Sequence, residues 1–260
     1  MSKLRHLIIG MLFSGIPFMV FSAEYYFFVQ FTDKRNTPFT LDNPADYLSP
    51  RSLARRAAFQ LVPDSTDLPV NPAYVSVVQQ AGVTIHSRSK WLNGVTIFTS
   101  DSSRMQQVRS LPFVRFVQYT GIKGQPTNAP SRVKWEKGTN DYGTALEQLQ
   151  QVNGHLLHEK KATGKGILIG ILDAGFKNVN LNAAFDSLRA SGRIVDQISI
   201  VDPAVNVFNE DSHGATVLSV MGGNLSGSYK GSAPDASYLL IQTEYVPTEY
   251  LSELDFWVRG

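Results

Sequence analysis

Cysteine is absent from all 260 residues, and that absence removes a good deal of chemistry. These residues have no thiol nucleophile, no thiolate metal site and no disulfide, so they hold together by core packing, with or without bound ions. An excess of one charge is missing as well. The formal net charge is +2, and setting aside Lys3 and Arg5 leaves 22 basic against 22 acidic side chains. Such a balance carries no electrostatic footprint for nucleic acid. Histidine is scarce, five in all, so each can be weighed singly. The one long apolar run, 7–21, follows Lys3, Arg5 and His6, is broken by Gly10, Gly15 and Pro17, and is trailed by Ser22 and Ala23. It is too short and too interrupted for a stable membrane anchor and has the layout of a signal peptide cleaved after Ser22 or Ala23. Residues 1–23 therefore read as a secretion signal, and the mature chain as periplasmic or extracellular.

What is present is a globular composition, 43% hydrophobic and 18% charged. A Pro/Gly/Asn/Ser-containing stretch at 121–131 reads as a linker and divides the chain into 24–125 and 126–260. In the first part, 25–31 is an aromatic and branched strand. Helices with Pro at the first turn are expected at 50–59 and 72–80, the second closed by Gly82. Strands at 83–87 and 91–99, a helix at 102–110 and a strand at 114–118 complete a β-α-β-β-α-β order with one extra helix, a split βαβ or ferredoxin-like α+β plait. In the second part, 166–172 is apolar at every position, as for a parallel strand covered on both faces. With short strands at 198–201 and 238–242 and a helix at 213–221, the pattern is an α/β parallel sheet.

Asp173 stands at the carboxyl end of the 166–172 strand, the edge where open α/β sheets place their sites. Gly175 permits a tight turn after it. Alone, Asp173 is equally readable as a cap for the next segment. His213 opens a segment in which Gly214, Ala215 and Ser219 allow close packing. An imidazolium at a helix start is disfavoured by the helix dipole, so a useful base there needs a carboxylate beside it. A lone histidine would otherwise be a surface or satisfied core residue, the reading given to His86, His155 and His158. The last two, three apart, form only a weak metal pattern without a third ligand.

Three strings change the weight of these residues: Ile169-Gly-Ile-Leu-Asp173-Ala-Gly-Phe176, His213-Gly-Ala-Thr-Val217, and Gly231-Ser-Ala-Pro-Asp-Ala236 before an apolar strand. In residues, order and spacing they resemble the subtilisin-like serine peptidases, with Ala174 and Ala215 as departures beside the catalytic positions. Upstream, Tyr47-Leu-Ser-Pro-Arg-Ser-Leu-Ala-Arg-Arg56, Asp67-Leu-Pro-Val70, Ser89-Lys-Trp-Leu-Asn93 and Tyr142-Gly-Thr-Ala-Leu-Glu-Gln148 look like the N-terminal region of secreted peptidases of this type from Bacteroidetes-type bacteria.

The resemblance implies a partial subtilisin-like parallel sheet with helices on both faces, preceded by a ferredoxin-like propeptide at 24–125 that folds against 126–260 and lays its tail in the cleft. It implies serine-type endopeptidase chemistry on protein or peptide substrates, with Asp173 and His213 as catalytic residues and no required cofactor. Structural calcium is common in the family, but no acidic run identifies a site; Glu210 and Asp211 read as loop carboxylates. The family's Gly-Thr-Ser nucleophile and its oxyanion asparagine have no counterpart among residues 214–260, so this stretch is expected to be inactive by itself. It is also expected to leave its last parallel strand as an exposed edge. The net charges of the two parts, +4 for 24–125 and −4 for 126–260, would favour their docking. Two alternatives stand beside the peptidase reading: a non-catalytic propeptide-like inhibitor of a related protease, and an unrelated α/β binding protein. The last would be supported by a sheet that separates Asp173 from His213.

Overall fold

The computed structural model describes residues 23–123, 141–247 and 250–260; most of the expected signal segment and of the expected linker lies outside them. The chain begins with β1 (Tyr25–Phe31). Its alternating bulky residues serve two faces: Phe27, Val29 and Phe31 enter one core, Tyr26 another. Helix α1 (Pro50–Ala58) starts where Ser49 accepts a hydrogen bond from the Ser52 amide at 3.2 Å, with Pro50 pre-set for the first turn. Asn71 caps α2 (Pro72–Gln80) in the same way, through the Ala73 amide at 2.8 Å. Then come β2 (Thr84–Ser89), β3 (Gly94–Thr99), α3 (Arg104–Arg109) and β4 (Val114–Ile122). The four strands are antiparallel in the order β2-β3-β1-β4, the order of a ferredoxin-like plait. α2 and α3 bury Val75, Val78, Met105 and Val108 against Val29, Val95 and Ile97. Strand β3 is shorter at its start than the expected 91–99, because Asn93 adopts a left-handed turn (φ 47°) and its side-chain amide donates to the Phe31 and Asp33 carbonyls.

The second part contains α4 (Leu146–Gln151), α5 (Gly154–Glu159), β5 (Leu168–Asp173), α6 (Asp186–Ala190), β6 (Ile194–Ser199), α7 (His213–Gly222), a two-residue hairpin β7 (Asn224–Leu225) and β8 (Tyr229–Lys230), then β9 (Ser237–Gln242) and α8 (Ser252–Arg259). β5, β9 and β6 form a parallel sheet with β9 in the middle. That order corrects two expectations. The last parallel strand is the central one, not an exposed edge. The 166–172 strand is not buried throughout: Ile167 is 57% exposed and Gly170 is exposed, and among the described residues β5 pairs with β9 alone. A third difference is β6, which begins four residues before the expected 198–201. Asp196 and Gln197 break its apolar pattern, and its position at an edge allows Val195 and Ile198 to stay exposed.

Successive residues of β9 point to opposite faces. Tyr238 and Leu240 join Ile171, Leu188, Val207 and Leu218 beneath α6 and α7. Leu239 and Ile241 join Leu172 and Ile200 on the other face, where they meet Tyr26 and Phe98 of the plait and Phe256 of α8. α8 is therefore held between the two sheets. The Phe256 ring stands edge-on to Tyr26 at 5.5 Å and 5.0 Å from His86. His86 donates from Nε2 to the Ile200 carbonyl at 2.7 Å, Arg259 Nη1 donates to the His86 carbonyl at 3.0 Å, and Thr96 Oγ1 donates to Asp255 at 3.3 Å. The centre of this junction is aromatic and hydrogen-bonded rather than ionic, so the opposite net charges are not what joins the parts there. Among the described residues no helix is long and apolar enough to cross a membrane.

Candidate active site

The register of β5 on β9 sets Asp173 opposite Gln242, at the carboxyl end of the sheet. Its carboxylate is buried, and a buried charge needs partners. Two are in place: the Ala174 amide donates to Oδ1 at 2.7 Å, and His213 Nδ1 lies 2.9 Å from Oδ1 and 3.0 Å from Oδ2. His213 arrives there because α7 begins beside the strand end. Asp211 Oδ1 accepts from the His213 amide at 2.7 Å and fixes that start. Two glycines make the approach close enough. A β-carbon on Gly214 would stand 2.5 Å from the Gly175 carbonyl and 2.9 Å from Asp173 Cβ, and one on Gly175 would stand 2.5 Å from the Asp211 amide. The sheet therefore brings Asp173 and His213, forty positions apart, into direct contact, the reverse of the separation that would have supported an unrelated α/β protein.

The environment distinguishes the two groups. Asp173 is buried, while the His213 side chain is 70% exposed. The hydrogen bond from Nδ1 to Asp173, and after it the carboxylate's charge, raise the His213 pKa above its ordinary value; Glu244 and Asp211 add to the effect. This is the carboxylate that the helix-start argument required. With Nδ1 engaged, Nε2 is the nitrogen left to exchange a proton with a third group. Glu210, two residues before Ser212, is shifted upward as well, there because burial disfavours its charged form.

A small cleft at the carboxyl ends of β6 and β9 is lined by Ser199, Asp202, Glu210, Gln242 and Tyr245, and Lys123 stands on it from the plait. The end of β4 is thus aimed at the strand ends beside the Asp173–His213 pair. Gly121 makes this path close, since a β-carbon there would stand 2.8 Å from Tyr250. Sequence reasoning missed Lys123, Gly121 and Tyr250, whose placement comes from β4 running on to Ile122 rather than stopping at 118. The other histidines are elsewhere. His158 bonds the Ser232 carbonyl through Nε2 at 2.9 Å and stacks on Tyr142, and His155 shares helix α5 with it. Among the described residues no three His, Asp or Glu side chains converge in a group that could hold a metal.

Residues 26–136 match the family model for the peptidase S8 propeptide domain of Bacteroidota. The chain carries an S8-type propeptide domain. This domain is the plait, and its match runs eleven positions beyond the expected boundary at 125. No curated protein matches the chain. Among solved structures, a mutant of the epidermin leader peptide processing serine protease (EpiP) from Staphylococcus aureus aligns with a TM-score of 0.46 and 11% identity, over 90% of this chain and 46% of that one. The chain spans less than half the length of that structure.

Proposed function

We propose that residues 126–260 are the leading part of a secreted serine-type endopeptidase of the S8 class, and that the propeptide domain sits on it as an intramolecular inhibitor whose tail runs into the cleft. The observation that carries this reading is the contact of His213 Nδ1 with buried Asp173 at the carboxyl end of a parallel sheet. In the reaction, His213 Nε2 takes the proton of a serine nucleophile and later gives it to the leaving amine. Asp173 holds the tautomer and stabilises the imidazolium. The serine and the oxyanion donor come from polypeptide outside these 260 residues, and the substrates are peptide bonds of proteins. The proton relay needs no cofactor; structural calcium belongs to the proposal without assigned ligands.

The test is labelling with a fluorophosphonate probe. The 260-residue chain should remain unlabelled, while a chain extended by its natural continuation should be labelled on one serine and hydrolyse a peptide substrate. Asp173→Asn in the extended chain should lower turnover by about 10⁴, a size established for serine triads and not obtained from this geometry. Labelling and turnover indifferent to both Asp173→Asn and His213→Ala would sink the reading. The inhibitor alternative is favoured by one feature, the self-contained core of the plait. It predicts that residues 24–125 alone inhibit a related protease while no extension of the chain acquires activity.

A further inference from the structure

The cleft beneath Lys123 gathers three hydrogen-bond acceptors in one small space. Asp202 and Glu210 bring carboxylates to it, and Gln242, only 3% exposed, lines it as well. Gln242 is hydrogen-bonded to Glu210, so its amide nitrogen faces that carboxylate. Its Oε1 is buried and has no hydrogen-bond partner among the described residues. Burial raises the Glu210 pKa against that hydrogen bond and the charge of Lys177, and the charge of Asp202 adds to the rise. Two carboxylates and an amide oxygen placed together are relieved by one donor that carries positive charge. The free space is about 20 Å³, enough for a group the size of one water. An ammonium has that size, and an aromatic ring does not. The cleft already faces a lysine. Lys123 stands on it with its ammonium 3.2 Å from Glu24 and 4.5 Å from the centroid of the Phe98 ring. Both of those holds belong to the propeptide domain, so Lys123 and its anchors leave together when that domain leaves. The cleft also borders the reacting groups. Gln242 is the register partner of Asp173, and Glu210 and Gln242 line a second hollow beside Ala174 and Asp211. A side chain seated there belongs to a residue near the scissile bond.

We propose that Asp202, Glu210 and Gln242 form a subsite for a lysine side chain of the peptide substrate, and that Lys123 occupies its mouth while the propeptide domain is attached. That the lysine belongs to a substrate rests on the endopeptidase reading above; that the cleft takes a cation rests on its own acceptors.

The first test needs no serine. In the 260-residue chain carrying Lys123→Ala, the side-chain amide of Gln242 is followed by NMR during titration with acetyl-lysine methylamide, with the norleucine compound as the uncharged control. Lysine should give a saturable shift and norleucine none. Glu210→Gln should weaken the lysine response about tenfold or more, the loss of one charged partner, and Asp202→Asn should do the same if Glu210→Gln fails to fold. Asp196→Asn, which removes an exposed carboxylate of β6, should leave it unchanged. The second test uses the chain extended by its natural continuation, with peptide pairs that carry lysine or norleucine at each position around the cleavage point. At one position lysine should raise kcat/KM about tenfold. Asp202→Asn should erase that preference and leave hydrolysis of the norleucine peptide as it was, a split that a merely structural role would not produce. An extended chain that takes no fluorophosphonate label sinks the endopeptidase reading, while the lysine titration still decides the cleft. Three outcomes overturn the subsite: norleucine shifts Gln242 as lysine does, the lysine response survives both carboxylate variants, or a labelled extended chain shows no lysine preference at any position.

Discussion

The antiparallel plait closes its core from its own residues, Phe27 through Val108, whereas the parallel sheet closes one face under α6 and α7 and completes the other with Tyr26, Phe98 and Phe256. The core of the plait is complete without the second part; the parallel sheet takes part of its cover from the first. The difference comes from the helices. α2 and α3 cover one face of the plait, while among the described residues the second face of the parallel sheet is met by Phe256 of α8 together with Tyr26 and Phe98 of the plait. One aromatic ring then serves both sides, and the two parts differ in independence although they touch over the same surface.

The largest effect that would break this comparison comes from dissecting it. Residues 24–125 should unfold cooperatively in urea as a separate polypeptide. Residues 126–260 should give no cooperative transition and should bind a hydrophobic dye, since the face of Leu172, Leu239 and Ile241 would be bare. A cooperative transition for the second piece would show that it needs no cover from the plait. Next in size, Phe256→Ala should cost about 3–5 kcal/mol of stability. Hydrogen exchange should show the loss mainly in the amides of β9 and α8 rather than in those of β1.

A sharper probe uses pH. Burial pushes Asp255 up to about 6 from 3.8, and burial pushes His86 down to about 4 from 6.5. The raised carboxyl contributes stability that is full below 3.8 and lost as pH rises through about 6. The depressed imidazole contributes stability that is full above 6.5 and lost as pH falls through about 4. Between pH 4 and 6 the two slopes oppose and nearly cancel, so each single variant should expose the other group. Relative to the parent, Asp255→Asn should gain about 2 kcal/mol as pH rises from 4 to 6, and His86→Asn should gain by a similar amount as pH falls over the same range. Urea midpoints measured across that range check this, and difference curves of the same sign would refute it. The smallest expected effect is Ser49→Ala, a lost helix cap worth about 1 kcal/mol. It should lower the midpoint of the plait fragment and of the whole chain by the same free energy, because α1 buries none of its residues.

The same residues mark how far the sequence could be read. The plait was legible strand by strand because its signals are local: Pro50 and Pro72 at helix starts, Gly82 at a helix end, aromatic and branched residues in β1. The Asp173–His213 pair was legible because the two motifs carry the small residues that close approach demands, Gly175 and Gly214. The strand order was not, because an all-apolar string such as Ile167 to Leu172 reports hydrophobicity and not which neighbour supplies the cover. α8 escaped notice for a related reason. Its apolar stripe, Leu254 with Trp257, lies on the exposed side of the helix, and the apolar residue that it buries, Phe256, stands on the other side. Arg259 and Asp255 carry no motif at all, and their surroundings come entirely from tertiary placement.

The shared helix also imposes an order in time. Ile122 ends the plait and Ser252 begins α8, so a ribosome adding roughly 5–20 residues per second delivers a finished plait on the order of 10 seconds before α8 exists. A small antiparallel α+β unit folds in far less than that. When Phe256 emerges, Tyr26 and His86 already form its seat, and α8 is caught on a prepared surface instead of searching for one.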